Sequence, residues 1–164
     1  MATREAVFSK DPSGRKLTVV RTFDASLEQV WQAWTDSALL DQWWAPRPYR
    51  AETKEMDFRE GGHWLYSMVG PEGDRTFCLE SFRTIELRKL ITNKVIFCDD
   101  QGHEDTNMPV LYWTKRFSEA DGATTVTIDI DSDTEADLKT IIEMGFQGGF
   151  TMGLNNLEEL LKKA

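Results

Sequence analysis

The side chains best equipped for chemistry are few and scattered. The chain has two histidines, His63 and His103, and two cysteines, Cys78 and Cys98. A zinc site needs more ligands than these separated positions offer. His103 lies in the acidic run Asp99-Asp100-Gln101-Gly102-His103-Glu104-Asp105. That run has charge enough for calcium but lacks the EF-hand spacing, so it reads as a solvated hairpin. His63 follows Gly61-Gly62 and reads as a surface or rim residue, with acid-base work as its alternative. The cysteines could pair, but in a reducing cytosol they read as two small buried thiols. Arg21, Glu55, Arg59, Glu80 and Arg116 lie in or beside expected strands. An inward arginine there could orient a carboxylate or phosphate; outward ion pairs are the expectation. There is no G-x-S-x-G, P-loop or glycine-rich dinucleotide turn. No catalytic residue, cofactor or metal ligand is therefore singled out.

What stands out instead is apolar. Trp43, Trp44, Trp64, Tyr66, Met68, Tyr112, Trp113, Phe146, Phe150 and Met152 form an aromatic and methionine set suited either to a core or to an adaptable pocket. Some of these share the C-terminal stretch with a row of glycines. Residues 132–163 read as one long amphipathic helix, opened by a capping box at Ser132 and Glu135. Leu138, Ile141, Ile142, Phe146, Phe150, Leu154, Leu157 and Leu161 recur at helical spacing. Gly145, Gly149 and Gly153 fall within that apolar face, with Gly148 beside them. Each interior glycine costs a helix about 1 kcal/mol against alanine. Close backbone packing or space for a guest must compensate. The expectation is the wall of an apolar cavity, with Gly149 and Gly153 joining the aromatic set as ligand-binding residues.

The rest of the chain must position that helix. With 164 residues, 40% of them hydrophobic, the chain can fill a core and is most simply one domain, 1–164, with residues 1–16 as a loose arm or short edge segment. A net charge of -9 argues against nucleic acid and anionic membrane surfaces. No apolar run is long enough to insert in a membrane. The N-terminus has no apolar signal region, so a cytoplasmic protein is expected. Leu17 to Phe23 reads as the first confident strand. Two short helices follow, one capped at Ser26 and one at Thr35 or Asp36. The second stops at Ala45-Pro46-Arg47-Pro48. Six further strands, from Tyr49 to Ile130, are joined by connections too short for a helix, which implies an antiparallel meander. A sheet with one face to bury and a helix with a wide apolar face make an α+β layout.

Three blocks of sequence carry a family resemblance. Arg21-Thr22-Phe23-Asp24-Ala25-Ser26, Val30-Trp31-Gln32-Ala33-Trp34-Thr35-Asp36 and Leu40 with Trp43-Trp44-Ala45-Pro46 form the first. The second is Met56-Asp57-Phe58-Arg59-Glu60-Gly61-Gly62 with Met68 and Gly70-Pro71-Glu72-Gly73. The third is Gly149-Phe150-Thr151-Met152-Gly153-Leu154-Asn155-Asn156-Leu157, where the family's usual tryptophan is Phe150. In this order they resemble activator of heat shock protein 90 ATPase homologue domains of the START-like superfamily. The resemblance implies a helix-grip fold: a curved antiparallel sheet wrapped around a long C-terminal helix, with a cavity between. The glycine row and the aromatic set make binding of a hydrophobic small molecule the expected function, and the resemblance adds a co-chaperone-type interaction module and a cyclase or aromatase as alternatives.

Overall fold

The computed structural model describes residues 5–163. Among them are eight strands and four helices. β1 (Val7–Lys10) and β2 (Lys16–Phe23) pair at one end of the sheet. The chain then forms α1 (Leu27–Thr35) and α2 (Ser37–Trp43) and re-enters at the far edge as β3 (Arg50–Met56). β4 (His63–Val69), β5 (Arg75–Glu86), β6 (Leu90–Cys98), β7 (Leu111–Ala120) and β8 (Ala123–Ser132) step back across until β8 meets β2. The order is β1-β2-β8-β7-β6-β5-β4-β3, antiparallel throughout. The curved sheet and its C-terminal helix match the expected helix-grip α+β fold. The expected arm is in part the edge strand β1; residues 1–4 of it lie outside the described residues.

Strand periodicity decides which side chains meet the helices. In β2, Leu17, Val19, Arg21 and Phe23 are buried at every second position. Their register partners in β8 are Ile130, Ile128, Val126 and Thr124. The same face continues from Ile130 to Trp113 and from Ile128 to Lys115. It runs on from Trp113 to Asn93, from Leu111 to Val95, and then from Val95 to Glu80. It ends with Trp64 opposite Glu80 and Tyr66 opposite Cys78.

The two short helices start where expected. Ser26 and Gln29 complete a capping box on α1. The Asp36 side chain accepts from the Ala38 N–H to start α2, at 2.9 Å. α1 buries Val30, Trp31, Ala33 and Trp34; α2 buries Leu40 and Trp43.

The single helix expected over 132–163 is instead two, α3 (Glu135–Glu143) and α4 (Phe146–Lys162). The break falls at Gly145, whose φ of +89° belongs to the left-handed region where a side chain is disfavoured. So the first glycine of the row ends one helix and precedes the next. The capping box at Ser132 is also corrected. Ser132 is the last residue of β8, and its hydroxyl donates to the Thr134 carbonyl. Thr134 is the cap, accepting from the Asp137 N–H at 3.1 Å.

Candidate ligand site between the sheet and the last helix

α4 meets the sheet face through two glycines with different neighbours. A side chain at Gly153 would place its Cβ 3.1 Å from the Trp44 carbonyl oxygen and 3.3 Å from that of Trp43. This is the close-packing end. Asn156 fixes the same stretch, its amide donating to the Ala45 carbonyl at 3.2 Å. One turn earlier, a Cβ at Gly149 would meet only Pro46 Cγ, at 3.6 Å, an ordinary contact. Gly148 has nothing within reach.

Beside Gly149 lies a space of about 250 Å³. Of the residues expected to bind a ligand, Trp44, Tyr66, Met68, Trp113, Phe146, Gly149 and Phe150 line it. Phe146 and Phe150 stack at 5.2 Å, and both stand edge-on to Trp113. Trp43, Trp64, Tyr112, Met152 and Gly153 are not brought to it. Trp43 is fully buried, its indole N–H donating to the Ala33 carbonyl at 2.9 Å. Trp64 stacks behind Tyr66 at 4.0 Å and donates to Thr53 Oγ1. Tyr112 occupies the alternate phase of β7, under the Arg83 guanidinium at 5.1 Å. Met152 is exposed.

Thr76, Cys78, Val95, Phe97 and Leu111 complete the sheet side of the space, and Ile141, Met144 and Gly145 the helix side. None of these is among the ligand contacts expected from sequence, although Ile141 and Gly145 lie on the apolar helix face read as the cavity wall. Strand register is the signal that reaches the β5 and β6 members: Cys78 is opposite Tyr66, Thr76 opposite Met68, and Phe97 opposite Cys78. Thr76, Phe97 and Met144 also line a wider, more polar groove of about 1000 Å³, bordered by Glu52, Ser67 and Arg75.

Behind the aromatic wall is a buried polar network. Trp44 Nε1 donates to the Tyr66 hydroxyl at 3.0 Å, and that hydroxyl lies 3.4 Å from Glu80 Oε2. Asn93 Nδ2 donates to Glu80 Oε1 at 2.9 Å, and Lys115 Nζ is 3.7 Å from the same oxygen. The Lys115 ammonium sits among the rings of Trp34, Trp44 and Trp113, at 5.7 to 5.9 Å from their centroids. Burial raises the Glu80 pKa and lowers that of Lys115, each opposed by the charge of the other. Burial also pushes the Tyr66 phenol well above its usual range, and the Cys78 thiol up to about 12.

This corrects the expectation of outward ion pairs at two of five positions. Glu80 and Arg21 are both buried. Arg21 ties β2 to α4, donating to Asn155 Oδ1 at 2.9 Å and lying 3.6 Å from Glu158. Glu55, Arg59 and Arg116 are exposed and paired with His63, Asp57 and Asp129. His63 is thus a surface residue, 2.8 Å from Glu55. His103 sits in a tight exposed turn, where its backbone N–H and that of Gln101 donate to Asp99 Oδ1. Both cysteines are free thiols. Among the described residues no group of three or more His, Cys, Asp and Glu could hold a metal ion, and no helix is long and apolar enough to cross a membrane.

A protein from Mycobacterium smegmatis has the same fold at a TM-score of 0.88, with 25% identity over 95% of this chain and 96% of its own. One from Arthrobacter aurescens superposes at 0.90, with 26% identity over 96% and 92% of the two chains. A Staphylococcus epidermidis protein superposes at 0.83, with 28% identity over 96% and 94%. No curated protein matches. Residues 24–162, which contain α1, the meander and α4, match the family described as Activator of Hsp90 ATPase homolog 1-like protein. The chain belongs to that family of START-like domains.

Proposed function

We propose that the protein binds a small apolar molecule in the space between the sheet and α4. The observation that carries this reading is the unfilled volume beside Gly149, walled by Trp44, Trp113, Phe146 and Phe150. Apolar side chains normally close on one another to crystal density; here they leave a partly open, aromatic-lined space of about 250 Å³. An apolar cavity of about 150 Å³ already accommodates benzene. The volume here suits a one-ring or two-ring body.

Binding is favoured over catalysis because the wall carries no Asp, Glu, His or Lys. A cyclase needs an ionisable group facing its substrate, and Tyr66 and Cys78 are the groups so placed. Burial holds both protonated at neutral pH, so neither serves as a base. The chaperone-contact alternative is supported by the family description alone. The test is a titration with fatty acids, sterols and flat aromatics, followed by the fluorescence of the six tryptophans. Saturable quenching by a compact apolar compound is expected. No saturable response to any class overturns the reading, and a pull-down against the host chaperone then becomes the next experiment.

A further inference from the structure

The wall of the space is uneven in one respect. Its lining includes no Lys, Arg, His, Asp or Glu. Its polar groups are the side chains of Tyr66, Thr76 and Cys78 and the indoles of Trp44 and Trp113, the Trp113 N–H being buried without a partner. Of these, Trp44 and Tyr66 also belong to the network that leads to Glu80, Asn93 and Lys115. The Tyr66 oxygen receives the Trp44 N–H at 3.0 Å, which uses one of its lone pairs. Its own proton is poorly spent. The distance to Glu80 Oε2 is 3.4 Å, beyond the usual span of about 2.5–3.0 Å for an O–H···O bond. The neighbouring Cys78 sulfur is a weak acceptor. A phenol between a firm donor and a distant acceptor is free to turn its proton to a closer oxygen.

Resting on the reading of this space as a ligand cavity, we propose that its occupant is a neutral molecule with an apolar body and one hydrogen-bond-accepting oxygen, a carbonyl or a hydroxyl, docked on the Tyr66 phenol. The neutrality follows from the same wall. Lys115 is the nearest buried cation, but Trp34, Trp44 and Trp113 cover it and Glu80 pairs it. A ligand carboxylate held against that wall would be desolvated with no cation beside it, which is unfavourable. Because burial keeps the phenol protonated, Tyr66 remains a donor at neutral pH.

The test uses three probes of one shape: 2-acetylnaphthalene, 2-ethylnaphthalene and 2-naphthoate, each titrated calorimetrically at pH 7 with the protein in the syringe. In a wall without an oxygen anchor the hydrocarbon binds tighter, because the ketone loses its hydration. With the anchor, the ketone binds the wild type at least as tightly as the hydrocarbon, and the carboxylate gives no saturable heat. In Tyr66→Phe, checked for folding by its thermal melt, the ketone falls behind the hydrocarbon by about tenfold, the order expected for one lost hydrogen bond. A wild-type preference for the hydrocarbon, or binding of the carboxylate as tight as the ketone, overturns the inference and leaves the ligand cavity standing. Saturable heat from none of the three overturns both. If the variant does not fold, the wild-type comparison still decides whether the wall offers an oxygen anchor, and Trp113→Phe, which removes the other unpaired donor, decides which group it is: an unchanged ketone preference in that variant is expected, and its loss overturns the assignment to Tyr66.

Discussion

Gly149 and Gly153 are the same residue type, one helical turn apart on the same helix, and they face opposite situations. At Gly153 the backbone of α2's end comes so close that a methyl group would press on two carbonyl oxygens. At Gly149 the nearest heavy atom is Pro46 Cγ at an ordinary distance, and open space lies alongside. The difference teaches that a glycine row on an apolar helix face is not one device. Here it is three: a left-handed break at Gly145, a gap at Gly149, and a close approach at Gly153.

The closed region should be the more costly to disturb, and its polar core the most costly of all. Removing Lys115 leaves the Glu80 carboxylate buried with Asn93 and a distant phenol. Lys115→Met is expected to lower stability by about 3–5 kcal/mol, the usual result of orphaning one member of a buried pair. Adding Glu80→Leu should recover part of that loss, because an apolar pair leaves no uncompensated charge. Chemical denaturation of the single and double variants measures both. A loss in the single variant below 1 kcal/mol (~1 kcal/mol is the worth of an exposed pair) would mean that the pair is solvated.

Next in size is Gly153→Ala. The carbonyls it meets belong to backbone that Asn156 holds in place. Overpacking of about 1–3 kcal/mol should outweigh the gain in helix propensity of about 1 kcal/mol, leaving the variant less stable. The same change at Gly149 should have the opposite sign. Gly149→Ala is expected to be neutral or to stabilise by up to about 1 kcal/mol, since nothing obstructs the new methyl group. Thermal melts run in parallel read both signs. Equal losses at the two sites would erase the distinction between gap and close packing.

How much of this the sequence discloses depends on what kind of signal each feature leaves. Strand alternation is local, so the meander and the inward set on β2 are legible from Leu17, Val19 and Phe23. The short helices are legible because their caps are local too. Lys115 is equally in phase, between Trp113 and Phe117, but a lysine on a strand is usually solvated, so its residue type hides its burial. Thr76, Cys78 and Phe97 needed the register between β4, β5 and β6, which spacing along one strand does not encode. The helix break needed the sign of φ at Gly145. A glycine permits a left-handed residue without requiring it, so three glycines in one apolar face give no means of telling break from gap.

The smallest expected effect concerns the thiols. Burial raises Cys98 to about 11 and Cys78 to about 12. At pH 8 both are overwhelmingly protonated, so disulfide reagents should react slowly, with the rate climbing as pH rises toward those values. Cys98, half-buried, should react before Cys78, which is buried and lines the space. An apolar ligand should slow Cys78 further and leave Cys98 alone. Timed labelling with mass-spectrometric assignment separates the two, and protection of Cys98 instead would place the ligand elsewhere.

The direct test of the gap at Gly149 is where an apolar probe lands. Each of the six tryptophans has an indole N–H that proton–nitrogen correlation spectra can follow. Titrating naphthalene into the wild type, Gly149→Leu and Gly153→Ala isolates the two glycines in one measurement. Saturable shifts of the Trp44 and Trp113 indole signals are expected in the wild type, with the Trp31 signal, at the Phe58 and Phe117 end of the core, unmoved. Gly149→Leu should abolish those shifts while Gly153→Ala keeps them. Shifts that persist undiminished in Gly149→Leu, or that never appear at Trp44 and Trp113, would contradict the gap at Gly149.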